Sequence, residues 1–162
     1  MRTGAVILLF LTWLGWGCGG KSAADYEKDA RAALDAGDGP KAVAVVDEGI
    51  AKHVADNDAA TKWRLESIRL DALAQAGKGS EVVATLERLA GAYPTQVNAA
   101  LYRSLANKVK AGGNPTGAID VLAAGDKRFP AEHAAFVQAI DALKAGALDP
   151  EQVDRLKKLG YL

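Results

Sequence analysis

The sequence contains only one cysteine, Cys18, and only two histidines, His53 and His133, among its 162 residues. A single cysteine excludes an intramolecular disulfide and a metal site built from several cysteines. Neither histidine has another ligand-type residue at metal-binding spacing, so a helix end or the surface explains both of them. We therefore expect no metal ion and no other cofactor.

Net charge is also lacking, since twenty basic and twenty acidic residues cancel. A neutral chain has no broad electrostatic field to attract nucleic acid, so we expect no nucleic-acid partner. Aromatic residues make up only 6% of the chain. The abundant alanines suit closely packed helices, whereas β-sheets favour β-branched and aromatic side chains. The composition therefore predicts an all-α protein.

A long apolar block begins the chain. Arg2 is followed by apolar residues from Ala5 to Trp16, with the small residues Gly15 and Gly17 on either side of Trp16. One basic residue, a short apolar segment and a small-x-small site are typical of a secretory signal peptide. The block is shorter than the roughly 20 residues that span a bilayer comfortably. We predict that residues 1–17 are a signal peptide.

The position of Cys18 directly after this segment resembles the signal of bacterial lipoproteins, in which the cysteine is lipidated and becomes the first residue. The resemblance implies a stable membrane anchor on Cys18, because two or more acyl chains hold a protein firmly. Residues 18–21 would then be the lipidated cysteine and a short tether. Since no acidic residue directly follows Cys18, the resemblance favours the outer membrane, facing the periplasm. An uncleaved anchor and ordinary secretion are the alternatives.

The segment GWGCGGKS, residues 15–22, also matches the phosphate-loop pattern G-x-x-x-x-G-K-[ST], with Lys21 as its lysine. AVAVVDE, residues 42–48, resembles a strand that ends in a magnesium-binding aspartate. A phosphate loop, however, needs parallel strands joined by crossover helices. Every later apolar segment has helical spacing, and AVAVVDE itself follows a Gly-Pro helix start. A nucleotide-binding enzyme therefore stays only an alternative, and we predict no catalytic residue.

The remainder of the chain, residues 22–162, contains an internal repeat. Val82, Leu86, Leu89 and Tyr93 are spaced by 4, 3 and 4 residues, which places them on one helical stripe. Two other segments have the same offsets: Ala42, Val46, Gly49 and His53; and Ala118, Leu122, Gly125 and Phe129.

Helix start and stop signals divide this region into eight helices. Ser22 with Asp25, and Asp149 with Gln152, have the spacing of capping boxes. Ala-Gly pairs follow helical stretches at Ala36-Gly37, Ala76-Gly77, Ala111-Gly112 and Ala145-Gly146. We predict helices near residues 22–36, 40–54, 58–76, 80–93, 96–111, 115–128, 131–145 and 150–159.

Residues 23–148 resemble tetratricopeptide repeats, which are helix-turn-helix units of about 34 residues. The best-matching unit has Tyr102, Leu105, Ala106, Val109, Gly113, Ala118, Leu122, Gly125 and Pro130 at the pattern positions. A second unit has Leu70, Leu73, Gly77, Val82, Leu86 and Pro94, and a first has Ala30, Ala33, Gly37, Ala42, Val46 and Gly49. The resemblance implies about three to four antiparallel helix hairpins stacked as an α-solenoid, with residues 150–159 as a C-terminal capping helix.

In tetratricopeptide repeats the first helix of each unit lines a concave groove that holds peptides or partner proteins. The matching positions here are Glu27, Arg31, Arg64, Ser67, Asp71, Gln75, Arg103, Asn107 and Lys110. The resemblance therefore implies a non-catalytic protein-binding or scaffolding module of the bacterial cell envelope, attached to the membrane through Cys18. A structural protein whose repeats associate with each other, as a homo-oligomer, is the other alternative.

Overall fold

The computed structural model describes residues 21–53, 58–145 and 148–162, and these residues form α-helices without any β-strand. The eight helices predicted from the sequence are confirmed. They are α1 (Ala23–Asp35), α2 (Gly39–His53), α3 (Ala59–Gln75), α4 (Gly79–Ala90), α5 (Ala99–Ala111), α6 (Pro115–Arg128), α7 (His133–Lys144) and α8 (Pro150–Leu159), with a 3-10 turn over Pro130–Glu132 before α7.

The predicted capping boxes begin the first and last helices. The Asp25 amide donates to Ser22 Oγ at 3.3 Å, and the Ser22 amide donates to the Asp25 carboxylate at 2.8 Å. Asp149 and Gln152 make the same reciprocal pair at the start of α8. Because these side chains satisfy amides that a helix start leaves free, the sequence located both helix starts to within a residue.

The predicted boundaries of α4 and α5 are wrong by three residues. α4 ends at Ala90 rather than near residue 93, and α5 begins at Ala99 rather than near 96. Asn98 sets the later start, because its Oδ1 accepts a hydrogen bond from the Leu101 amide at 3.0 Å. Tyr93 and Val97 in the intervening turn are buried against the core.

Glycines with positive φ close the turns after α1, α3 and α5. They are Gly37, Gly77 and Gly113, with φ of 76°, 70° and 86°. The third glycine comes one residue after the pair Ala111-Gly112 that the sequence pattern had singled out. At Gly77 a side chain is excluded twice, because a Cβ would also lie 2.7 Å from the carbonyl oxygen of Gly112.

Buried residues lie at constant distances along the chain from these glycines. Tyr26, Glu66 and Tyr102 are buried at equivalent points of α1, α3 and α5, each the same number of residues before its glycine turn. Gly49, Leu89 and Gly125 are buried at equivalent points of α2, α4 and α6. One core cluster joins α1, α2 and α3, and a larger one extends from α3 to α8.

Taken as the successive pairs α1–α2, α3–α4 and α5–α6, the helices of each pair pack against the next pair along the chain. α3 contacts α1 and α2 on one side and α4 and α5 on the other, and α6 contacts α4, α5, α7 and α8. α1, α3 and α5 are therefore successive neighbours, and this arrangement positions the predicted binding residues. No helix within the described ranges combines the length and the apolar character that crossing a membrane requires.

Candidate partner-binding face

All nine residues predicted to line a groove lie on three neighbouring helices. Glu27 and Arg31 are on α1, the four residues from Arg64 to Gln75 are on α3, and Arg103, Asn107 and Lys110 are on α5. Each is half-buried or exposed. We call this set of nine residues the α1–α3–α5 face. Cys18, the predicted lipidation site, lies outside the described residues.

A single carboxylate connects α1 to α3 within this face. Glu27 Oε1 accepts from Arg31 Nη2 at 3.1 Å, and Glu27 Oε2 accepts from Arg64 Nε at 3.0 Å. Arg64 Nη2 also donates to Thr61 Oγ1 at 2.8 Å. Solvent-exposed ion pairs of this kind contribute little to stability.

A second ion pair connects α3 to α5. Lys108 Nζ donates to Asp71 Oδ1 at 2.6 Å, and the two residues are 37 positions apart, the same separation as Glu27 and Arg64. The sequence interpretation missed Lys108, although it lies directly after the predicted Asn107. The pairing depends on how α5 packs against α3, so no pattern in the sequence indicated it.

A third contact extends the face beyond α5. Arg103 Nη1 donates to Glu132 Oε2 at 3.2 Å, and its guanidinium carbon lies 5.5 Å from the centre of the Phe136 ring. A cation at this distance over an aromatic face is attracted by the ring electrons. Glu132 was also missed: the sequence predicted a helix from residue 131, whereas Glu132 lies in the 3-10 turn before α7.

Three members of the face have side chains that bond no other described residue. Gln75, Asn107 and Lys110 are exposed, and within the described part of the chain their side chains make no hydrogen bond or ion pair. Among the contacts of the described residues, Ser67 bonds its own helix alone, since its Oγ donates to the Arg64 carbonyl at 2.7 Å. The structure therefore places the predicted residues on three neighbouring helices, and it leaves the side-chain amides of Gln75 and Asn107 and the Lys110 ammonium group available to a partner.

A separate cleft, which the sequence did not indicate, lies between α4, α6 and α8. Its volume is about 370 Å³, and Val83, Ala124 and Leu159 contribute apolar surface to it. A neighbouring cavity of about 510 Å³ contains Asp126 and His133. These residues come from distant parts of the chain, so only the packing of α8 on α6 could reveal the cleft.

Asp126 holds the end of the chain against α6 and α7. Its carboxylate accepts from the Tyr161 hydroxyl at 2.5 Å and contacts His133 Nδ1 at 2.8 Å. Lys144 Nζ donates to the Tyr161 carbonyl at 2.7 Å. Burial and the hydrogen bond to Asp126 raise the pKa of Tyr161 far above its ordinary value. With the phenol kept neutral, this cluster can attach the C-terminal residues to the helices.

The two segments that resemble a nucleotide-binding enzyme have other roles where they are described. AVAVVDE lies within α2, so its predicted helical state is confirmed. Lys21 Nζ donates to Asp29 at 2.7 Å and lies 5.5 Å from the centre of the Tyr26 ring, while Ser22 caps α1. Residues 15–20 of the phosphate-loop match lie outside the described residues.

Among the described residues, no group of three or more Cys, His, Asp or Glu side chains is arranged to hold a metal ion. Comparisons of the chain with protein-family models, with curated proteins and with solved structures find no match.

Proposed function

We propose that this chain is a lipid-anchored protein of the bacterial cell envelope whose helix hairpins, similar to tetratricopeptide repeats, bind a protein partner without catalysis. The observation that carries the proposal is the α1–α3–α5 face, where exposed polar side chains from three successive first helices lie side by side. The exposed side chains of Gln75, Asn107 and Lys110, which bond no other described residue, can bond a polar backbone or side chain of a partner.

The repeating register supports stacked hairpins of one kind. Two bulky tyrosines, Tyr26 and Tyr102, meet glycines at equivalent positions: a Cβ at Gly49 would lie 2.8 Å from Tyr26 Cβ, and one at Gly125 would lie 3.0 Å from Tyr102 Cβ. A small residue opposite a large one lets two helices approach closely. This glycine–tyrosine contact occurs twice, between α1 and α2 and between α5 and α6, at equivalent positions. Such a recurrence is typical of repeat units that bury their faces against neighbours.

The proposed anchor would hold the binding face close to the membrane. Ser22 caps α1 directly, so only residues 19–21 separate a lipidated Cys18 from the cap of the first helix. A fully extended chain of four residues spans at most about 14 Å. Confinement near a surface raises the effective concentration of a binding site for partners on that surface, so modest contacts are sufficient.

The anchor is tested by metabolic labelling with a radioactive fatty acid in a bacterial host. We expect label on the wild-type chain and none on the Cys18→Ser variant. Absence of label on the wild-type chain would overturn the proposed lipid anchor, and the binding face would then still have its own test.

The binding face is tested by cross-linking in living cells. A photoreactive amino acid is placed at Asn107 on the face, or at Lys41 on α2 as the matched exposed control. We expect adducts with another protein from position 107 and not from position 41. Adducts that contain only this chain would favour self-association instead, and equal adducts from both positions would contradict a specific face.

A further inference from the structure

The basic charge of the α1–α3–α5 face is concentrated on α5. This helix carries Arg103, Lys108 and Lys110 and no acidic residue, whereas the cations of α1 and α3 share their helices with Glu27 and Asp71. The chain as a whole has no net charge. A helix with cations alone is therefore a local segregation of charge.

Neighbouring elements neutralise only part of this charge. Asp71 pairs with Lys108 at 2.6 Å, and Glu132 pairs with Arg103 at 3.2 Å. Lys110 makes no ion pair within the described part of the chain. Arg103, Asn107 and Lys110 follow one another at four and three residues, so they form one stripe along α5.

We propose that this stripe binds an extended acidic segment of a protein partner, an inference that rests on the proposed binding function. Seven helical residues separate Arg103 from Lys110 and rise about 10 Å. An extended chain covers that distance in about three residues. Two carboxylates about three residues apart therefore reach Lys110, which has no ion pair among the described residues, and Arg103, whose pair with Glu132 is partly exposed and can be exchanged. The Asn107 amide between them can bond the backbone of the same segment.

The surrounding charges favour an acidic polypeptide over a nucleic acid. Glu27, Asp71 and Glu132 lie among the cations, where they repel a continuous row of phosphates. A polypeptide with spaced carboxylates can place neutral residues opposite these acids. The partner chemistry that complements the face is therefore a segment in which acidic residues alternate with small or neutral ones.

Fluorescence anisotropy of the full-length chain with a labelled peptide that repeats Ser-Gly-Glu tests this proposal. A peptide that repeats Ser-Gly-Gln is the neutral comparison, and single-stranded oligothymidine is the nucleic-acid comparison. We expect the acidic peptide to bind best, and added salt to weaken its binding, because salt screens exposed charges. Lys110→Glu should raise its Kd about three- to tenfold. The matched control Lys41→Glu, on α2, should leave the Kd unchanged.

Three outcomes would overturn the acidic preference. Tighter binding of the neutral peptide, with the same sensitivity to Lys110→Glu, would keep a peptide-binding face but reject its preference for carboxylates. Tighter binding of oligothymidine would replace the polypeptide with a nucleic acid. Equal effects of Lys110→Glu and Lys41→Glu would place binding elsewhere on the chain. Should no peptide bind while the cross-linking from Asn107 succeeds, the acidic preference fails and the proposed function stands.

Discussion

Arg88 on α4 donates two hydrogen bonds of 2.9 Å to the two carboxylate oxygens of Glu66 on α3, which is only 1% exposed. Arg69 Nη1 adds a third bond to Glu66 at 2.8 Å and also contacts Asp47 on α2. These charges link three helices. Glu66 lies as far before Gly77 in α3 as Tyr26 and Tyr102 lie before the glycine turns of α1 and α5, so α3 has a buried carboxylate where the other two helices have a buried ring.

Removal of the Arg88 side chain should destabilise the protein, because it leaves the buried Glu66 carboxylate with Arg69 as its remaining cationic partner. We expect Arg88→Ala to lower the free energy of unfolding by about 1–3 kcal/mol, less than for a fully buried pair since Arg88 itself is half-exposed. Urea denaturation measures this loss. The control Lys158→Ala, which breaks an exposed pair with Asp154, should cost under about 1 kcal/mol. Equal losses in both variants would show that the Glu66 pair contributes nothing special.

Gly125 should not tolerate even alanine, although alanine favours helices. A Cβ there would lie 2.5 Å from Phe136 Cε1 and 2.7 Å from Phe136 Cζ. Overpacking of this kind costs about 1–3 kcal/mol. Gly91 is the matched control, because it has a helical φ of -74° and open space around it. Thermal unfolding should show a lower Tm for Gly125→Ala and an unchanged or higher Tm for Gly91→Ala. Two variants with the same Tm would contradict the close packing of α6 and α7.

The turn after α5 should depend on the left-handed backbone of Gly113. Its φ is 86° and the space around it is open, so a substitution there tests backbone strain without a steric clash. We expect Gly113→Ala to lower the free energy of unfolding by about 1–2 kcal/mol, and Gly113→Asn to lower it less. Chemical denaturation of both variants gives the comparison. The prediction fails if alanine is as stable as glycine, or if asparagine is worse than alanine.

The bond between Tyr161 and Asp126 should make stability fall at alkaline pH. Burial first, and the bond to Asp126 second, raise the pKa of Tyr161 in the folded protein. Its contribution to stability is therefore fully present below the unfolded tyrosine pKa of about 10, and it is lost as pH rises above that value. Tyr161→Phe lacks this titration.

Urea denaturation of wild type and Tyr161→Phe at pH 8 and pH 11 checks this expectation. At pH 8 the wild type should be more stable by about 1 kcal/mol, the typical contribution of one hydrogen bond. At pH 11 the difference should be smaller, because the unfolded wild type gains stability by releasing the phenolic proton. A difference that stays constant between the two pH values would mean that Tyr161 ionises equally in both states.

Local signals in the sequence were sufficient for most of the helices. Ser22 and Asp149 stand at their helix starts, and Pro115 begins α6 after the cap residue Asn114. These signals act over a few residues, so they can be recognised without knowledge of the fold. The start of α5 was misplaced by three residues because the sequence interpretation did not use the cap residue Asn98.

The candidate binding face was only partly accessible to sequence reasoning. The resemblance to tetratricopeptide repeats gave Arg103, Asn107 and Lys110 as groove residues, and their spacing of four and three residues places them on one side of α5. It could not predict that Lys108 reaches Asp71 or that Arg103 reaches Glu132. Those contacts depend on how far one helix is displaced along its neighbour, which no local pattern records.

For the described residues, the sequence by itself determined that the chain is helical, how many helices it forms and where most of its glycine turns lie, because caps, periodicity and backbone conformation are local properties. Tertiary structure decided which charges are satisfied. It buried Glu66 between two arginines, directed Arg64 to Glu27, and left Lys110 without a partner among the described residues. The physical reason is that a charge is neutralised by whichever side chain the neighbouring helix brings within reach, and this depends on how the helices pack.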